Sequence, residues 1–101
     1  MFAIVKEAQR LAIQKIRPGV NASYIDSIAR DHIRRKGFGR YFIHGLGHGI
    51  GKKVHEPPKI SPKSWDVLES GMVITVEPGI YIPRIGGVRI EDMVLVTKKG
   101  C

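Results

Sequence analysis

The stretch HGLGHGIGKKVHEPP, residues 44–58, restricts the backbone more than any other part of this chain, because three histidines are set among closely spaced glycines. His44 and His48 stand four apart and would share one face of a helix. Gly45, Gly47, Gly49 and Gly51 rule that helix out. Each would cost about 1 kcal/mol relative to alanine in a helix interior, more than packing is expected to offset over so short a span. As an extended segment, His44, Leu46, His48 and Ile50 point one way, and the opposite face through Gly51 is bare backbone. Glycine used in this way marks a place where something approaches the main chain closely.

The flanking sequence divides into two halves of different period. Over 2–16, Phe2, Val5, Ala8, Leu11, Ala12 and Ile16 recur at helical spacing, and Arg17-Pro18-Gly19 stops the pattern. A second helix is expected from Ser23, with Asp26 as the acidic partner of a capping box, a buried stripe of Ile25, Ile28, Ala29 and Ile33, and an end at Gly37 and Gly39. Pro57, Pro58 and Pro62 predict a loop, followed by a short turn within 64–70. After Gly71 the period becomes two: MVITVEPGIYI (72–82) and VRIEDMVLV (88–96) read as two antiparallel strands joined through PRIGG. The 101 residues suit one domain, 1–101, and the ending Lys98-Lys99-Gly100-Cys101, where a turn is expected, makes the sequence read as cut.

Composition narrows the chemistry. Cys101 is the only cysteine, which removes internal disulfides and thiolate metal sites and leaves imidazole and carboxylate as ligands. Lys6, Glu7 and Arg10 interrupt the opening stretch, so it is neither a signal peptide nor a membrane span, and a cytoplasmic protein is expected. The formal charge of +8 would suit an anionic partner, but the basic residues are scattered without the interleaved aromatics that stack bases. A solvated basic surface is the stronger reading, and nucleic acid is disfavoured as a partner.

Two acids fall within the strand pattern. Glu77 shares a face with Val73 and Thr75 and is held extended by Pro78. Glu91 stands among long apolar neighbours, sharing a face with Arg89, Met93 and Leu95. Either could be a solvated position on an outward sheet face. In a sheet covered by helices, however, carboxylates require a compensating cation. Arg89 in a structural ion pair is one candidate, and a divalent metal is the other. His48, Glu77 and Glu91 together offer one nitrogen and two hard oxygen donors, a set suited to Mn, Co, Fe or Zn.

HGLGHGIGKKVHEPP, then GMVITVEPGIYIP, then GGVRIEDMVLVT resemble the Xaa-Pro dipeptidases (prolidases) and Xaa-Pro aminopeptidases of the pita-bread metallopeptidases, with PGV at 18–20 and Ile25-Asp26 also in keeping. The resemblance implies an α+β chain forming half of the pita-bread fold, two helices packed on a mainly antiparallel sheet, as the C-terminal half of a catalytic domain. It implies two divalent metal ions in the complete enzyme, with His48 and Glu77 as ligands of one ion and Glu91 bridging both. His44 and His55 would line the site for a peptide with proline after the scissile bond. His55 would donate a hydrogen bond to the scissile amide or its tetrahedral intermediate, Glu77 would carry the water's proton to the proline nitrogen, and Arg89 would steady the carboxylates from behind. Two aspartate ligands of that family lie in a first half that this sequence does not contain. Asp26, Asp31, Asp66 and Asp92 are poorly placed to replace them. The chain by itself is therefore expected to be inactive or nearly so, and to meet the N-terminal half of its own protein or self-associate. A creatinase-like or methionine-removing enzyme is the nearest rival, and a non-catalytic pita-bread module binding protein or RNA is the rival from another class.

Overall fold

The computed structural model describes residues 1–50 and 56–101. Helix α1 (Phe2–Gln14) and helix α2 (Ala22–Arg35) follow the expected stripes: Val5, Ala8, Ala12 and Ile16, then Ile25, Ala29 and Ile33, are all buried. Phe2, expected in the stripe, is 63% exposed. The start of α2 differs from the expected capping box. Asn21 is the cap, its Oδ1 accepting from the Ser23 backbone N–H at 2.9 Å, so Ser23 lies within the first turn. Asp26 is thereby released from any capping role and is fully buried instead. Gly37, at φ +90°, ends the helix in the left-handed conformation.

The strands are β1 (Gly47–Gly49), β2 (Glu56–Ile60), β3 (Val73–Val76), β4 (Gly79–Ile82), β5 (Gly86–Arg89) and β6 (Asp92–Leu95). One sheet has the order β2-β1-β3-β6, and β4 with β5 forms a separate ribbon; every pairing is antiparallel. The proline-rich stretch is a strand rather than the expected loop. This is tolerated because β2 lies at the sheet edge and Pro57 and Pro58 sit at an irregularity, where His48 pairs with Lys59 but Gly49 already pairs with Glu56.

The two long strands expected at 72–82 and 88–96 are each broken in two, at Glu77-Pro78 and at Ile90-Glu91. Val76 pairs with Asp92 and Gly79 with Arg89, so one register runs through the break and sets Glu77 opposite Glu91. Proline removes a ladder donor at this point, while the Glu77 N–H turns to the Leu46 carbonyl at 2.7 Å.

Both helices cover one side of the sheet. Ile74 and Val76 join the helix stripes, Leu46, Ile60, Leu68 and Ile80 in the core. On the other side Met93 is 69% and Leu95 51% exposed. Glu91 is likewise exposed, so its apolar neighbours form no covering wall as the strand pattern suggested. Among the described residues no helix is long and apolar enough to cross a membrane.

Candidate functional site

The site lies on the sheet face turned away from the helices and begins with the histidine segment. A buried ion pair fixes its path. Arg30 Nε donates to Asp26 Oδ1 at 2.8 Å, and its other nitrogens donate to the carbonyls of Phe42 at 2.9 Å and His44 at 2.8 Å. Asp26 Oδ2 accepts the Leu46 N–H at 3.1 Å, and the guanidinium stacks 4.1 Å from the Phe42 ring centre. The acid expected at a helix cap thus ties the histidine segment to α2.

The glycine face meets the protein itself. A methyl group built on Gly47 would overlap the Thr75 carbonyl, so what passes close to the bare backbone is β3. This approach lets Thr75 Oγ1 accept the His48 N–H at 3.1 Å.

His48 Nε2 stands 3.4 Å from Glu77 Oε2, and both side chains are largely shielded, at 19% and 14% exposure. Nδ1 of the same ring lies 2.9 Å from the Gly49 carbonyl. A carbonyl only accepts, so Nδ1 donates to it and Nε2 is the nitrogen turned toward the carboxylate. A proton or a cation held between this nitrogen and the carboxylate would satisfy both groups. An imidazole whose outer nitrogen is held by a carbonyl is also the usual arrangement of a metal-ligating histidine. Arg89 Nη1 reaches Glu77 Oε1 at 4.0 Å, a loose contact from a half-exposed side chain.

His44 is 3.0 Å from the Tyr81 hydroxyl through Nε2 and 2.7 Å from the Gly45 carbonyl through Nδ1. The Tyr81 ring lies against Gly79 and Gly87, where any side chain would collide with it. Sequence reading does not single out Tyr81. Its only trace there is the alternation of glycine around it in GIYI and IGGV. A cavity of about 430 Å³ opens between these groups, lined by His44, His48, Lys59, Glu77 and Arg89.

His44, His48, Glu77 and Arg89 are thus gathered at one cavity. Glu91 stands across from Glu77 in register but does not line it, and no cluster of three or more metal-donor side chains closes among the described residues. His55 lies outside the described residues.

Residues 1–98 match the family model of metallopeptidase family M24. The chain belongs to that family. This M24 chain is 56% identical over 100 residues to a Xaa-Pro dipeptidase of Pyrococcus furiosus, covering 99% of the chain and 29% of the relative. It superposes on the solved prolidase from Pyrococcus furiosus with a TM-score of 0.96 at 56% identity, covering 98% of the M24 chain and 29% of that structure. On an X-Pro aminopeptidase from Thermotoga maritima the TM-score is 0.94 at 47% identity, with 98% and 28% covered. The M24 chain therefore spans little more than a quarter of the length of these relatives. Its two helices on a mainly antiparallel sheet are part of the pita-bread fold, and the resemblance to Xaa-Pro dipeptidases read from the three motifs is borne out.

Proposed function

We propose that this chain is the C-terminal half of the catalytic domain of a proline-directed metallopeptidase, which hydrolyses the peptide bond preceding proline. The observation that carries the reading is the pairing of His48 Nε2 with Glu77 Oε2 at 3.4 Å, with the far nitrogen of the ring already committed to the Gly49 carbonyl. The donor set would suit a divalent ion such as Mn or Co: the oriented His48 imidazole and the shielded Glu77 carboxylate would hold it, and Glu91, opposite in register, would bridge to a second ion. Such ions, when bound, lower the pKa of water and stabilise developing oxyanion charge.

The remaining roles fall to the chain's own residues. Glu77 accepts a proton from the attacking water and returns it to the departing proline nitrogen. Arg89, 4.0 Å from Glu77 Oε1, would steady that carboxylate by its charge. His44 lines the substrate site, with Tyr81 fixing its ring through the hydroxyl, and the family motif alone assigns His55 to substrate binding. Without the two aspartates of the other half, the 101 residues alone hold metal weakly and are inactive or nearly so.

The test uses the complete protein, assayed on Xaa-Pro dipeptides with Mn²⁺ or Co²⁺. Hydrolysis is expected, and Glu91→Ala is expected to abolish it while leaving the circular dichroism spectrum intact. Full activity in Glu91→Ala would refute the assigned bridge. For the 101-residue chain, metal content after dialysis and mass in solution are informative. A tightly bound two-metal monomer would contradict the incomplete ligand set.

A further inference from the structure

Gln9 is a polar residue in the buried stripe of α1, with only 2% of its surface exposed. Its Nε2 lies 3.1 Å from the Val76 carbonyl and 3.4 Å from the Ile90 carbonyl, contacts that span 67 and 81 positions in sequence. Both partners only accept, so the side-chain atom facing them is the NH₂ group, and one amide serves two strands.

The two carbonyls belong to the residues immediately before Glu77 and Glu91. They lie at the break where β3 and β6 give way to β4 and β5. The chemistry of Pro78 explains why a donor is needed. Ile90 donates its N–H to the Pro78 carbonyl at 3.2 Å, and in an antiparallel pair the return bond would run from residue 78 to the Ile90 carbonyl. Proline has no N–H to give. Gln9 supplies the missing donor from the helix side, and with its second proton holds the facing strand at Val76.

We infer that Gln9 is a positioning residue: it clamps the two strands at their break and so sets the spacing of the Glu77 and Glu91 carboxylates on the opposite sheet face. This rests on the metallopeptidase reading for its consequence, though the clamp itself does not. Outer partners of metal ligands usually act one atom away from the ligand, through its side chain. Here the control is through the backbone, from a helix on the other side of the sheet.

Two measurements test it. In the wild-type chain the Gln9 side-chain amide protons are expected to exchange with solvent far more slowly than those of the exposed Gln14; equal rates overturn the clamp. In the complete protein with Mn²⁺ and an Xaa-Pro dipeptide, Gln9→Met keeps the length of the side chain and removes both donors. It is expected to lower kcat about 10- to 100-fold with KM little changed, the range seen when partners of metal ligands are lost. A lower melting temperature with kcat unchanged would mean that Gln9 only stabilises the fold, and would overturn the inference. A wild type that cleaves no Xaa-Pro dipeptide would overturn the reading on which its consequence rests, an outcome distinct from fast exchange of the Gln9 amide in an active enzyme.

Discussion

Replacing Arg30 with methionine should unfold much of what holds the histidine segment in place. The substitution keeps an unbranched side chain over Phe42 but removes the donors to the Phe42 and His44 carbonyls and to both oxygens of Asp26. Asp26 is fully buried, and the Leu46 N–H is the one contact that the described hydrogen bonds leave it. Removing one partner of a buried pair costs about 3–5 kcal/mol, mostly through the charge left behind. For a chain of this size that corresponds to a fall of at least about 12 °C in Tm.

Urea denaturation followed by far-ultraviolet circular dichroism measures the loss. Tryptophan fluorescence would report it poorly, because Trp65 is 91% exposed already. The double variant Asp26→Leu, Arg30→Met removes the stranded charge and should be no less stable than Arg30→Met alone, so that the two effects are strongly non-additive. A cost below about 1 kcal/mol for Arg30→Met, or simple additivity in the double variant, would refute the buried-pair account.

Gly47→Ala forces a methyl group into the Thr75 carbonyl and should cost at least about 1–3 kcal/mol, with amide exchange rising at β1 and β3, whereas no such rise would mean the two strands are not so close. Tyr81→Phe should leave the ring packed on Gly79 and Gly87, lower stability by about 1 kcal/mol, and change the ¹⁵N shift of His44 Nε2. Glu91→Ala, at an exposed position, should change stability by less than about 0.5 kcal/mol, separating its effect on activity from any effect on folding. Burial, aided by Lys36 and Arg35, pushes the His32 imidazole below its ordinary value. The unfolded chain then takes up the proton first, so this contribution to stability is complete above the ordinary histidine range and is lost as pH falls through it. His32→Gln should flatten that part of a stability-against-pH curve.

Gln9 and Asp26 show how differently one sequence can be read from near and from far. Both are polar residues on helices whose apolar stripes are legible from spacing alone, and both helices form where the stripes predict. The polar positions within them have no local explanation. Asp26 suits a capping box by sequence, but Asn21 takes the cap, and the acid is fixed by a guanidinium one turn on and an amide twenty residues away. Tyr81 and the edge strand through Pro57-Pro58 are similar cases, each decided by a neighbour distant in the chain.

The sequence by itself determined the local geometry: two amphipathic helices, a histidine segment too rich in glycine to be helical, and strand-forming runs carrying Glu77 and Glu91, along with the family to which these motifs point. Helical period, glycine and proline act over a few bonds, so they are visible without a fold. Tertiary structure alone decided that β3 fills the glycine face, that the strands break at the two glutamates, and that His48 meets Glu77 while Glu91 stays on an open face. These outcomes depend on which surfaces pack together and which carbonyls lose their partners, quantities that no short window of residues contains.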